Sequence, residues 1–208
     1  MERLVAFDLD DTLVAEALFL RSGIRHVARL LEERFPELPP LRVVNRMDAA
    51  VMRHTNHYSA LESLLVETGL RESVDMAEIV AEFRNHRPDP DIYHLPPSMR
   101  KQLDDLAAAG TRMALITDGR SLTQRNKIEA AGLMRYFDPD DILISEETGH
   151  DKKDPDNFLF LMRKYAGTGH FVYVADNPSK DFIHPSRLGW ETRLAPPFPI
   201  AIHQGMPG

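Results

Sequence analysis

The sequence predicts an α/β protein: a doubly wound, Rossmann-like parallel sheet that carries an inserted α-helical domain. Three observations predict it. Short apolar runs alternate with helical patterns beyond residue 95, acid or hydroxyl residues follow those runs, and the stretch between Val14 and Arg84 keeps helical periodicity with no strand-like alternation. Strands of a parallel sheet are covered on both faces, so they read as short continuous apolar runs.

Residues 4–7 are the first such run and lead straight into Asp8-Leu9-Asp10-Asp11-Thr12, a strand with polar residues at its C-terminal end. Leu20, Ile24, Val27 and Leu31 then recur at i, i+4, i+7 and i+11, one face of a helix. The same spacing returns in Leu61, Leu64 and Leu65, and in Met76, Ile79, Val80 and Phe83. Arg87-Pro88-Asp89-Pro90 and Leu95-Pro96-Pro97 close this stretch, since proline ends helices and pushes the residue before it toward extended backbone. The boundaries that follow are residues 1–14 plus 95–208 for the sheet domain and 15–94 for the helical insert.

Met99, Leu103 and Leu106 form a helix that Gly110 can end, and residues 113–116 follow as a strand closing on Thr117-Asp118-Gly119. A helix over 122–131 precedes a strand at 142–144, and a helix over 156–165 presents Phe158, Leu159, Leu161 and Met162. The strand at 171–175 ends on Asp176-Asn177-Pro178, and a last short strand is expected over 191–194. Residues 196–208, rich in Pro, Gly and His, read as a loosely packed end.

Composition narrows the class. Of 208 residues 43% are hydrophobic and 27% charged, ordinary for a chain that buries a core. A net charge of −7 and a pI near 5.7 give no general attraction to nucleic-acid phosphates or anionic lipid. There is no cysteine, which removes disulfides, thiolate nucleophiles and thiolate metal sites. No stretch approaches the roughly 20 apolar residues of a membrane span, and the first residues meet acids too soon for a signal peptide. A cytoplasmic location is expected, with neither a membrane nor a nucleic acid polymer as partner.

Ligands of an open parallel sheet sit outside the carboxyl ends of its strands. Here those ends deliver Asp8 and Asp10, Thr117 and Asp118, and Asp176. Asp8 and Asp10 are two apart, so on extended backbone they point the same way. Converging carboxylates without cysteine or a matched histidine pair make a hard, oxygen-only site that suits Mg²⁺. A carboxylate can attack phosphorus to give an acyl phosphate. A second one, Asp10, can protonate the leaving alkoxide and later deprotonate water. Thr117 and the backbone amides of Asp118 and Gly119 can hold phosphate oxygens, and a lysine in reach would stabilise their charge. Taken singly, Asp-x-Asp, Thr-Asp-Gly and Asp-Asn-Pro are turn chemistry; their order and their placement after strands carry the reading.

These residues resemble the haloacid dehalogenase superfamily, whose phosphatases carry four short motifs in fixed order. The first is similar to Asp8-Leu9-Asp10-Asp11-Thr12, with Leu13 next; the second to Leu115-Ile116-Thr117-Asp118-Gly119; the third to Ser145 through Lys152; the fourth to Val174 through Asp181. The resemblance implies Asp8 as nucleophile, Asp10 as acid and base, Lys152 as phosphate contact, and Asp8, Asp10 and Asp176 as Mg²⁺ ligands with Asp181 behind them. It also implies that the helical insert, placed directly after the first motif, is a cap. Two positions depart from the pattern. Lys153 stands where the third-motif lysine is usually followed by proline, leaving Lys153 as an alternative to Lys152, which register favours. Ala175 replaces a frequent glycine.

The retained Asp10 favours expulsion of an alkoxide over a halide, which needs no proton. A phosphonate-cleaving relative needs a cap lysine, and residues 15–94 contain none. The expected activity is therefore hydrolysis of a small phosphate monoester, a nucleotide or a sugar phosphate. A phosphate-transferring mutase and a non-catalytic binding protein on the same fold stand as alternatives. Arg120 is a candidate substrate contact, and Arg46, Arg53, His54, His57, Arg84, His86 and Arg87 could make a cationic cap surface, although solvated helix faces are the plainer explanation for most of them.

Overall fold

A computed structural model of the chain describes residues 2–37 and 57–198. The chain divides into two compact units, residues 17–93 and residues 1–16 with 94–208.

The larger unit is built on five parallel strands: β1 (Arg3–Phe7), β2 (Arg112–Thr117), β3 (Ile142–Ile144), β4 (His170–Ala175) and β5 (Glu191–Leu194). Their order in the sheet is β3-β2-β1-β4-β5, so the fold is α/β as the sequence predicts. The chain winds outward from β1 to β3, then crosses to β4 on the other side of β1. That reversal makes the crevice between β1 and β4 the topological switch point, where open α/β sheets take their ligands.

Alternation places the core. Leu4 and Ala6 of β1, Ala114 and Ile116 of β2, and Tyr173 and Ala175 of β4 share one buried face with Phe158, Leu161 and Trp190. Phe158 and Leu161 come from the helix Asp156–Lys164, and the Phe158 ring meets Tyr173 and Trp190 edge-on at 5.1 and 5.5 Å. Burying each large apolar side chain of this kind contributes about 1.5–3 kcal/mol.

The smaller unit contains, among its described residues, most of the helix Glu16–Arg34 and the helices His57–Thr68 and Met76–Asn85. Its core is aromatic: Phe19 lies 5.6 Å from Phe83, 4.7 Å from His86 and 6.3 Å from Tyr93. Gly23 sits mid-helix because a Cβ there would come within 2.4 Å of the buried Phe83 ring. Two of the candidate cap cations are absorbed by this packing. His86 is buried against Phe83 O and Ser22 Oγ, and His57 stacks on Phe83. Arg46, Arg53, His54 and the end of the C-terminal tail lie outside the described residues.

Candidate active site

Strand register assembles the site. Phe7 pairs with Leu115 on one side and Val174 on the other, so Asp8, Thr117 and Asp176 emerge at the same edge of the sheet. After Phe7 the chain cannot run on as strand. Leu13 N and Val14 N return to Leu9 O, Asp11 N bonds Val14 O, and Asp11 takes the left-handed conformation (φ 52°) that Asp tolerates better than most residues. Asp11 Oδ1 then accepts the Glu16 N–H at 2.9 Å, opening the first helix. After β4, Asn177 caps a short helix by accepting from Lys180 N, with Pro178 in the first turn where its missing N–H costs nothing.

The resulting cavity, about 300 Å³, is lined by Asp8, Asp10, Glu16, Thr117, Asp118, Lys152, Asp176, Asn177, Lys180 and Asp181. Its centre is Lys152, whose Nζ lies 2.6 Å from Asp8 Oδ1 and 3.2 Å from Asp181 Oδ1, all three side chains buried. Of the two lysines weighed as phosphate contact, Lys153 is exposed and Lys152 faces the cavity. Asp118 braces this lysine from behind. Its Oδ1 accepts the Lys152 N–H at 3.0 Å and its Oδ2 pairs with Lys180 Nζ at 3.0 Å.

Carboxylate oxygens of Asp8, Asp176 and Asp181 lie within 4.8 Å of one another. Burial raises the Asp8 carboxyl to about 7 despite the opposing charge of Lys152, with Asp181 and Asp10 adding to the rise. Burial likewise raises Asp176 to about 6, helped by Asp181 and Asp11. Lys152 moves well above its usual value: burial works against its charge, but Asp8, Tyr173 and Asp181 hold the proton on. One ammonium thus serves three crowded carboxyls, and Asp181 Oδ1, though in ion-pair range, accepts no hydrogen bond. An all-oxygen donor set short of positive charge fits a hard divalent cation.

Not every expected residue joins. Asp10 lines the cavity but its carboxylate is not part of the trio. Lys127 Nζ sits 2.7 and 2.9 Å from its two oxygens, and the acid grouped with Asp8 and Asp176 is Asp181. The Gly119 N–H, expected to hold a phosphate oxygen, donates instead to Ser145 Oγ at 2.9 Å. Arg120 is outside the lining residues and faces Glu146, Nε to Oε1 4.0 Å, with its side chain 56% exposed.

The family model for haloacid dehalogenase-like hydrolases matches residues 2–182. The chain belongs to this family. Glyceraldehyde 3-phosphate phosphatase of Methanocaldococcus jannaschii is 25% identical over 189 residues, covering 90% of this chain and 82% of the relative. N-acylneuraminate-9-phosphatase of Mus musculus is 29% identical over 168 residues, covering 75% of this chain and 66% of the relative. Among solved structures, the HAD-hydrolase YfnB of Bacillus subtilis, crystallised bound to magnesium, superposes with a TM-score of 0.58 at 19% identity, covering 92% of this chain and 87% of that one. Among the described residues no helix is long and apolar enough to cross a membrane.

Sequence reasoning about this haloacid dehalogenase-like hydrolase missed Gln124, Lys127 and Lys180. Lys180 reaches Asp118 only through tertiary folding. For the other two a signal was present: the helix Ser121–Ala130 has no apolar stripe, and its buried residues are Gln124, Asn126, Lys127 and Ile128. A helix packed on a sheet with polar residues inward is serving those residues.

Proposed function

We propose that this haloacid dehalogenase-like hydrolase is a cytoplasmic, Mg²⁺-dependent phosphatase of small phosphate monoesters, working through a phospho-aspartate on Asp8. Residues 1–14 with 95–208 serve as its catalytic core and residues 15–94 as its cap. The observation that carries the proposal is the Asp8 carboxylate, 2.6 Å from buried Lys152 and clustered with Asp176 and Asp181. A structural ion pair has no need of two further acids at the open end of a sheet.

In the reaction an Asp8 oxygen attacks phosphorus as the bond to the leaving alkoxide breaks, and Asp10, entering this step as the neutral acid, gives that alkoxide its proton. A water oxygen then attacks the same phosphorus, Asp10 takes the water's proton, and the bond to Asp8 breaks to release phosphate. Lys152 and the Thr117 hydroxyl hold the phosphoryl oxygens as charge builds on them. Asp8, Asp176 and Asp181 are the side chains that would hold Mg²⁺, which supplies charge neutralisation between the acids and the incoming phosphate. The phosphatase names of the relatives support small phosphorylated metabolites, sugar phosphates foremost, as the substrate class.

The test is phosphate release from p-nitrophenyl phosphate and a panel of small esters, with Mg²⁺ or with EDTA. Release that needs Mg²⁺ is expected; a folded, Mg²⁺-binding protein inert toward every ester rules the phosphatase out. A second expectation follows from Asp8 and Asp176, which titrate near 7 and 6 when no cation is bound. Only their ionised forms bind metal, so protons compete with Mg²⁺ as the pH falls. Between about pH 8 and about pH 5.5 the affinity should drop on the order of a hundredfold. Calorimetry in buffers of different ionisation enthalpy should then show proton release on binding. A pH-independent affinity would remove both acids from the metal site.

A further inference from the structure

Gln124 and Lys127 lie three residues apart on the helix Ser121–Ala130, so both leave it on one face a turn apart. They are 2% and 3% exposed, where a helix ordinarily buries apolar side chains. A lysine is rarely withdrawn from water without a specific partner, and Lys127 has one in Asp10, at 2.7 Å from Oδ1 and 2.9 Å from Oδ2. Gln124 reinforces it. Its Nε2 lies 3.1 Å from Asp10 Oδ2, 2.7 Å from Thr117 Oγ1 and 3.0 Å from Asp118 O. An amide nitrogen only donates, so each of these oxygens is an acceptor there. Thr117, accepting from Gln124, keeps its own hydroxyl proton for a partner in the cavity it lines.

We propose that Lys127 and Gln124 are positioning residues for the acid–base step: Lys127 pins the Asp10 carboxyl at one place, and Gln124 ties it to a Thr117 hydroxyl aimed at the phosphate. The inference rests on the phosphatase reading above and deepens it. Proton transfer to a leaving oxygen needs the two heavy atoms within about 2.6–3.2 Å, and an Asp side chain free to turn about χ1 and χ2 spends little time there. A bidentate contact removes that freedom, and the amide adds a fixed distance to the group beside the phosphate. A pair serving stability alone gives no reason for its carboxylate to line the cavity rather than the core.

Leaving-group dependence separates the two roles. p-Nitrophenolate leaves without a proton; an alkoxide does not. With Mg²⁺ present, kcat/KM is measured for p-nitrophenyl phosphate and for the best alkyl monoester of the panel, in wild type, Lys127→Met, Lys127→Arg and Gln124→Leu. Lys127→Met should lose on the order of 10- to 100-fold more on the alkyl ester than on the aryl ester, a part of what general acid catalysis contributes. Lys127→Arg should recover part of that difference, and Gln124→Leu should show the same pattern more weakly. Should Lys127→Met fail to fold by circular dichroism, Lys127→Arg and Gln124→Leu carry the same comparison, the latter with the ion pair intact. Equal losses on both esters, or none, overturn the positioning role while leaving the phosphatase standing. A wild type that releases phosphate from no ester overturns both.

Discussion

Asp8→Asn is expected to lower phosphate release by at least about 10⁴-fold, because the oxygen proposed to attack phosphorus is replaced by an amide that cannot form the acyl phosphate. Side effects on the fold should be small, which makes the variant informative. Asn keeps the shape of the side chain and its carbonyl oxygen, so the contact from Leu9 N to Oδ1 at 2.8 Å can persist, and the main-chain bond from Asp8 N to Val174 O is untouched. Burial already raises the Asp8 carboxyl to about 7, so above that pH its charge opposes folding and a neutral replacement relieves it. In EDTA at about pH 8 the melting temperature of Asp8→Asn should therefore be no lower than that of wild type. Residual turnover within about tenfold of wild type would remove Asp8 as nucleophile.

Lys152→Met should act on both activity and stability. The lysine is the ammonium shared by Asp8 and Asp181 at 2.6 and 3.2 Å, and both carboxylates are buried. Removing one member of a buried pair leaves uncompensated charge, at a cost of about 3–5 kcal/mol. For a chain of this length that corresponds to a melting temperature on the order of 10 °C lower. The loss should be largest above the Asp8 pKa near 7, where that acid is ionised, and should shrink toward lower pH as protonation neutralises it. Mg²⁺ bound by the same acids should restore part of the stability. It should not restore activity, since the proposed donor to the phosphoryl oxygens stays missing; a loss of about 10²-fold or more is expected. Thermal melts with and without Mg²⁺, beside phosphate-release rates, check both halves. A variant as stable as wild type in EDTA at about pH 8 would contradict the buried pairing.

Much of this protein is legible along the chain because it is local. A buried parallel strand announces itself by a short apolar run and its end by the first polar residue, which is why Asp8, Thr117 and Asp176 stand out at strand ends in the bare order of residues. Helical periodicity places Leu20 through Leu31 on one face for the same reason: backbone geometry repeats every few residues whatever the chain packs against.

The rest depends on contacts between distant positions. Strand order is one example, since nothing in residues 3–7 states that β1 lies between β2 and β4. The state of Asp10 is another: its partner Lys127 is 117 residues away, and no spacing rule links them. Gly119 looks available because turn chemistry is visible in sequence, while the claim of Ser145 on its N–H is not. The acids themselves, their number and their order were determined by the sequence alone. Which of them share a lysine or room for a cation was decided by tertiary structure, because burial and charge proximity fall off over a few ångströms of space and take no account of distance along the chain.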